Sequence, residues 1–311
     1  MSEVLSSLPP DPIYDRRARI RQITAHTLKR RARTSQLFML AISLALVVAL
    51  VPLVLILFTA FQRGGSVLSS TFLTTLPQVP SIGQQSSIGG IGNAIIGTLI
   101  VAAMASVIAI PLSLLLGLYL VEVETRFANA LRFSVEILSG VPSILLGVFA
   151  YIFIVLPQHR FSAFAASVAL ALLMTPVITK SVETAIRGVP VSVVEAGLAL
   201  GARRWTVARR VVLPVARPGI VTGTLLALAR AMGETAPLLL IIGVSFSTSW
   251  DTNPFHPMSA LTTLTYYYSS SAFPAQHQAA WGVALVLVLM VLVLNVSSRL
   301  ISARLNKKVQ G

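Results

Sequence analysis

Residues 37–58 run for 22 positions without a charged side chain. About 20 such residues are enough for a helix to cross the ~30 Å hydrocarbon core of a bilayer. No water reaches peptide groups there, so the backbone must satisfy its own hydrogen bonds, as a helix does. Five further apolar stretches follow, at about 92–121, 133–156, 164–179, 219–244 and 281–296. The fourth and the sixth are short for a crossing and are expected to extend at their ends. Charged residues make up 11% of the chain, well below the roughly 25% of soluble domains. The expected fold class is therefore all-α, a polytopic membrane protein of six transmembrane helices. The first stretch does not read as a signal peptide, because a polar 36-residue leader precedes it and no small-residue cleavage site follows. With zero cysteines, disulfides, Cys-ligated zinc and Cys nucleophiles are excluded. No internal repeat is visible.

Basic residues give the orientation, since short cytoplasmic loops are enriched in Lys and Arg. The leader, 1–36, holds Arg16, Arg17, Arg19, Arg21, Lys29, Arg30, Arg31 and Arg33. It is expected in the cytoplasm, followed by a transmembrane domain at 37–298. A second basic segment, 299–311, carries Arg299, Arg304, Lys307 and Lys308 and forms a cytoplasmic tail. The loop between spans four and five, about 186–216, is flanked or filled by Arg187, Arg203, Arg204, Arg209, Arg210 and Arg217. By contrast, the loop before span two has Arg63, the loop after span three has Arg160, and 245–280 has no Lys or Arg. Both termini and the loop at 186–216 are thus expected on one side, the cytoplasmic one. The net charge of +14 could also suggest nucleic acid. The leader has no interleaved aromatics, and positive-inside anchoring accounts for it more simply.

Residues 195–214 read EAGLALGARRWTVARRVVLP. Glu195 to Leu200 should be helical, Gly201 lets the backbone reverse, and 205–212 should form a second helix. Pro214 is expected to stop that helix before the next span. Leu198, Leu200 and Trp205 would make an apolar knob rimmed by Arg203 and Arg204, suited to a groove on a soluble partner. The combination Glu195-Ala196-Gly197, then Gly201, then Val211-Val212-Leu213-Pro214 resembles the EAA loop of ATP-binding-cassette importer permeases. That family's pattern is E-A-A, three residues, G, nine residues, I-x-L-P. This chain has Gly197 for the second Ala and Val211 for Ile. The resemblance implies an ATPase-coupling element that includes Glu195, Ala196, Gly201, Arg203, Arg204, Trp205, Leu213 and Pro214. No GxxxxGK[ST] pattern occurs, so ATP chemistry is expected from another chain and this one is not expected to be an enzyme.

Span five reads ALARAMGETAPLLL from Ala227 to Leu240. Arg230 and Glu234 are spaced i,i+4 on one helix face, each roughly 15 Å or more from either end at ~1.5 Å per residue. A charge at mid-membrane costs ~2.5 kcal/mol upward, which makes the pair a functional-site candidate. Pro237 should free the Gly233 carbonyl nearby, and Thr235 adds a hydroxyl. The planar Arg fork suits phosphate or carboxylate. Glu234 could hold Arg230 in the empty site or accept from a protonated phosphate oxygen. A structural ion pair locking two helices is the alternative. Prolines 52, 111, 142, 176 and 237 fall one in each of five spans. Such prolines serve as buried kinks or as parts of a transport pathway.

The sequence ARAMGETAPLL also resembles permeases of the phosphate-specific ABC importer, of the PstA type, in which A-R-x-x-G-E-T is followed by A-P-L-L. Matching segments include residues 89–98, 140–143 and 187–190, and together they cover about 88–243. The resemblance implies a type I ABC importer permease fold in a bacterial inner membrane, carrying phosphate inward. It implies a substrate pathway through Arg230, Glu234, Thr235 and Lys180. Implied partners are a second homologous permease of the PstC type, a PstB-type ATPase dimer and an extracytoplasmic PstS-type phosphate-binding protein; no cofactor or metal is implied. Lys180 stands where these permeases often have Arg, which loses the fork; pairing with Glu183 is the other reading. Arg132 and Glu136, also i,i+4, are expected to form a surface pair. His26, His159, His256 and His277 show no metal-ligand spacing. Tyr266, Tyr267 and Tyr268 are expected to anchor at the membrane interface or to touch the binding protein. A sulfate or molybdate permease, and a free-standing carrier with Glu234 as proton relay, stay open at this stage.

Overall fold

The computed structural model describes the backbone of residues 12–78, 89–243 and 249–310. Residues 1–11 of the expected leader, 79–88 of the first outer loop, 244–248 at the end of span five and 311 lie outside the described residues. Every regular element among the described residues is a helix. The chain divides into two compact units, 1–59 and 60–311.

The first unit is a single helix, most of α1 (Pro12–Gly65), which carries Pro52 inside it. Its portion from Thr34 has a mean hydropathy of 3.1 over its most apolar window, and every residue of 37–58 is exposed. A helix apolar on all sides is a membrane span, because water would not tolerate that surface.

The second unit begins with the end of α1 and a short helix α2 (Ser70–Thr74), followed by α3 (Gly92–Glu122) and α4 (Arg126–Gly140). Next come α5 (Ser143–Ala150), a π-turn (Tyr151–Val155), α6 (Leu156–Gln158), α7 (Ala163–Arg187) and α8 (Val191–Ala199). A continuous helical run then joins α9 (Arg204–Val207), a π-turn (Ala208–Val212) and α10 (Leu213–Met232). The chain closes with α11 (Ala236–Ile241), α12 (Leu261–Ser269) and α13 (Pro274–Gln310). Among the described residues, five helices are long and apolar enough to cross a membrane, and six crossings result if α4 with α5–α6 counts as one bent span.

Helix α7 is the hub, packing on α3, α10, α5 and α4. Its inward positions are small, with Ala163, Ala165, Ala166, Ala169 and Ala171 all at 2% exposure or less. Small side chains let membrane helices approach closely where dispersion, not water exclusion, drives packing. Gly117 of α3 is one such contact, since a Cβ there would sit 2.5 Å from Val182 Cγ1. On the other flank Gly219 and Gly223 of α10 meet Ala185 and Ser181 of α7. A second cluster of Phe72, Ile91, Leu261, Leu264, Tyr268 and Val283 ties α2, the start of α3, α12 and α13 together.

Four expectations are corrected here. The third stretch is not a straight span: α4 and α5 are bent by 106° at Val141–Pro142. Val141 is extended (φ −69°, ψ 130°), as a residue before proline prefers, and Pro142 caps the new helix. The fifth stretch is broken at residues 233–235, between α10 and α11. Pro214 does not stop the helix before it. The Leu213 N–H instead reaches back to Ala208 O in the preceding π-turn, so proline enters where the ordinary bonding register has already been shifted. The late outer loop is not loop throughout, because it contains α12, and Tyr268 is buried in the second cluster while Tyr266 and Tyr267 are more exposed. The second, fourth and sixth stretches match α3, α7 and α13, the last two longer than their apolar runs.

If the α3–α7 contact depends on a missing side chain, Gly117→Leu should lower stability by about 1–3 kcal/mol through overpacking. Thermal unfolding of the detergent-purified protein should then begin at a clearly lower temperature. An unchanged transition would mean that the two helices part without cost.

Candidate functional site

The break between α10 and α11 creates the site. Helix α10 ends at Met232, Gly233 follows at φ −88° and ψ −5°, and α11 starts after Thr235. Two short bonds close the end, Gly233 N–H to Arg230 O at 3.0 Å and Glu234 N–H to Ala231 O at 3.2 Å. Pro237 lies in the first turn of α11, where a missing N–H costs nothing. It therefore starts a helix and frees no carbonyl inside one, contrary to the expectation. Gly147 of α5 holds this turn in place, as a Cβ there would lie 2.7 Å from Pro237 Cα.

Arg230 and Glu234 are brought together, with Nε to Oε1 at 3.8 Å. That distance is an ion pair without a direct charge-assisted hydrogen bond, which would be nearer 2.7–2.9 Å. The Arg230 side chain is 63% exposed and Glu234 20%. The guanidinium is thus accessible in this chain, held loosely by a carboxylate that is largely covered. Arg230 lies about 25 Å along α10 from Leu213 at ~1.5 Å per residue. Its separation from the far end can no longer be counted along one helix, because of the break. Thr235 is half-buried at the start of α11.

Below the pair runs a groove. A cavity of about 600 Å³ is lined by Lys180, Ser181 and Thr184 of α7 and by Gly219, Thr222, Gly223 and Leu226 of α10. Helical spacing puts Gly219, Thr222, Gly223, Leu226 and Arg230 on one face of α10. The adjacent face, with Ile220, Thr224, Ala227 and Ala231, is buried. Lys180 is exposed in this groove and does not pair with Glu183. Glu183 is engaged instead by Arg187 Nη2 at 2.9 Å and Arg132 Nη2 at 3.4 Å. Arg132 also donates to Leu120 O at 2.9 Å, a carbonyl in the last turn of α3 where the helix dipole is negative. The expected Arg132–Glu136 surface pair gives way to this because α4 packs on α7.

The segment 195–214 folds as two helices around a glycine. Helix α8 ends at Ala199, and Gly201 takes φ +77° while its N–H reaches Leu198 O at 2.9 Å. Only glycine adopts that left-handed backbone freely, which is why it terminates helices. Arg203 O then accepts the Thr206 and Val207 N–H groups to start α9. Val207 is buried against Gly197, where a Cβ would already meet its methyls at 3.1 Å. The glycine at the family's alanine position thus makes room for Val207. Leu198, Leu200 and Trp205 are 37%, 89% and 64% exposed. Glu195, Ala196, Arg203, Arg204 and Pro214 are exposed as well, and Leu213 is half-buried.

Residues 109–311 match the family of the binding-protein-dependent transport system inner membrane component. The chain belongs to that family. It is 39% identical over 258 residues to phosphate transport system permease protein PstA 1 of Mycobacterium tuberculosis, covering 82% of this chain and 84% of the relative. It is 35% identical to PstA of Haemophilus influenzae, covering 86% and 94%. The probable PstA of Methanocaldococcus jannaschii is also 35% identical, covering 85% and 92%. Among solved structures, the inward-facing MetNI methionine ABC transporter aligns with a TM-score of 0.55 at 23% identity, covering 68% of this chain and 96% of that one. A bacterial alginate ABC transporter bound to its periplasmic protein gives 0.56 at 14%, covering 88% and 94%. At such identities the structures speak for the fold alone, which is that of a type I ABC importer permease.

Sequence reasoning missed two parts of this region. Helix α12 is tucked inside, with Leu261 N–H bonded to Thr98 Oγ1 of α3 at 2.9 Å. Its Leu261, Leu264 and Tyr268 repeat at helical spacing, but nine residues are too few for a span. The groove floor was readable as Gly219 and Gly223 four apart, a small-residue pattern for close helix crossing.

The chain has no native cysteine, which makes accessibility directly measurable. Single cysteines at Thr222, Leu226 and Arg230 should react with a hydrophilic thiol reagent in the purified chain. Cysteines at Ala227 and Ala231 should stay unreactive. Equal labelling of both sets would contradict the groove.

Proposed function

We propose that this chain is the permease subunit through which an ATP-driven importer moves inorganic phosphate into the cytoplasm. The observation that carries the reading is the exposed Arg230 at a helix break, on the same face as the groove that holds Lys180. Identity of 35–39% to PstA permeases over most of the chain supports phosphate as the substrate. In this mechanism Arg230 offers its fork to two phosphate oxygens. Glu234 releases it and accepts a hydrogen bond from the proton that phosphate still carries near neutral pH. Sulfate has no such proton and would leave the carboxylate facing an anion, so Glu234 favours phosphate over that alternative. Thr235 adds a hydroxyl beside the break. Lys180 then attracts the ion further along the groove, as a point charge without the fork.

Coupling is assigned to residues 195–214. The exposed Leu198, Leu200 and Trp205, with Arg203 and Arg204 beside them, form a knob that an ATPase dimer would receive in a groove. Glu195, Ala196 and Gly201 shape the turn, and Leu213 and Pro214 join it to α10. The basic leader, tail and loop support a cytoplasmic location for both termini and this knob in an inner-membrane protein. The remaining partners in the proposal are a second homologous permease facing the groove and an extracytoplasmic phosphate-binding protein. ATP hydrolysis belongs to the ATPase chains.

Gly201→Asp puts a side chain at φ +77°, a backbone that glycine adopts more readily, and adds a carboxylate to the exposed turn next to Arg203 and Arg204. The variant should insert normally yet lose most ATP-driven phosphate uptake and much of its ATPase co-purification. Wild-type uptake with full ATPase recovery would overturn the coupling role.

Arg230 separates a substrate role from a structural one. Arg230→Gln/Glu234→Gln removes both charges, so the complex should assemble while uptake of labelled phosphate stays absent. Arg230→Lys should assemble too, with a larger loss of uptake at low phosphate than at high. Near-normal uptake by the assembled double variant would show that the pair only holds helices.

A further inference from the structure

We infer that the second unit carries a phospholipid site at the outer membrane surface, formed by Arg63, His277 and Trp281. The site is separate from the transport groove and goes beyond the proposed function, while its assignment to the outer leaflet rests on the topology above.

Two cavities meet at these three side chains. One, of about 450 Å³, is otherwise lined by polar groups, Gln62, Ser66 and Gln278. The other, of about 350 Å³, continues along Ala280 and Ala284 of α13 and Thr265 and Ser269 of α12. A polar chamber joined to a mostly apolar one matches a phosphodiester headgroup and the start of its acyl chains. A small inorganic ion would leave the second, mostly apolar chamber unfilled.

The cation is fixed and uncompensated. Arg63 Cζ lies 5.7 Å from the Trp281 ring centroid, a cation–π contact that holds the guanidinium at the membrane interface. The backbones are locked beneath it, as a Cβ on Gly64 would sit 2.5 Å from Trp281 O. Among the described residues, no carboxylate lines either chamber. The outward-assigned loops contain a single acidic residue, Asp251, and that one binds His256 Nδ1 at 2.6 Å. A backbone N–H from Asn253 and this histidine hold its carboxyl below the usual carboxylate range, so it is committed elsewhere. His277 Nε2 donates to Ser271 O at 2.6 Å, which orients the ring in the first turn of α13. The N–H groups of that turn add positive potential beside Arg63. A cation without a carboxylate partner, at interface depth and beside an apolar slot, is what an anionic lipid headgroup requires.

The test uses the assembled transporter in phosphatidylcholine nanodiscs titrated with phosphatidylglycerol bearing brominated acyl chains. Two readouts apply: lipid retained in native mass spectrometry, and the part of tryptophan quenching that Trp281→Phe abolishes. Arg63→Gln should weaken phosphatidylglycerol binding roughly tenfold, the scale of one charge-assisted contact. Arg63→Lys should recover part of it. Ala284→Phe, which fills the apolar chamber and keeps the cation, should weaken it as well. Equal binding by all variants, with intact assembly, overturns the site. If excess inorganic phosphate displaces the lipid with the same dependence on Arg63, the ligand is the free anion and the lipid assignment falls. Neither readout involves transport, so failure here is distinguishable from failure of the phosphate-permease reading.

Discussion

A helix can serve as the hub of a membrane bundle only if its neighbours come close, and α7 allows this by presenting alanines. Hydrocarbon does not reward the burial of large apolar side chains as water does, so contact distance decides the packing energy. Gly117 on one side, with Gly219 and Gly223 on the other, bring α3 and α10 against it. The same crossing of small residues leaves the groove beside it. Larger residues at Gly219 or Gly223 would push α10 away and remove the wall that carries Arg230.

The positions of the spans were legible because length and the absence of charge are one-dimensional properties. Residues 92–121 and α3 differ by a single residue at the end. What composition could not show was where a span bends. Pro142 and Pro237 both lie at the starts of helices after breaks, whereas Pro52, Pro111 and Pro176 lie inside continuous ones. All five read alike in sequence. The difference comes from neighbours, such as Gly147 seated on Pro237, which are hundreds of atoms away along the chain but in contact in space.

The candidate site was partly readable for a similar reason. Arg230 and Glu234 stood out because charge in a long apolar run is expensive, and four residues bring them together whether the helix continues or ends between them. The competition for Glu183 was not readable. It depends on α4 folding back so that Arg132 reaches both this carboxylate and the carbonyl end of α3. Lys180 is thereby left facing the groove. The reversal at Gly201 was legible, since a glycine after a short helix and before a basic one has few other uses; its positive φ came from the structure.

One consequence concerns mechanics. From Arg204 to Met232 the chain is a single rod of 29 residues, about 43 Å long at ~1.5 Å per residue. Its two ends are the Trp205 knob and the Arg230 guanidinium. Because Pro214 follows a π-turn and does not interrupt the rod, a tilt imposed at the knob is delivered to the arginine as displacement. Five degrees of tilt would sweep the far end by roughly 4 Å on that length, about the 3.8 Å that separates Arg230 from Glu234. Small tilts at one end of the rod thereby become displacements of the helix end that carries Arg230.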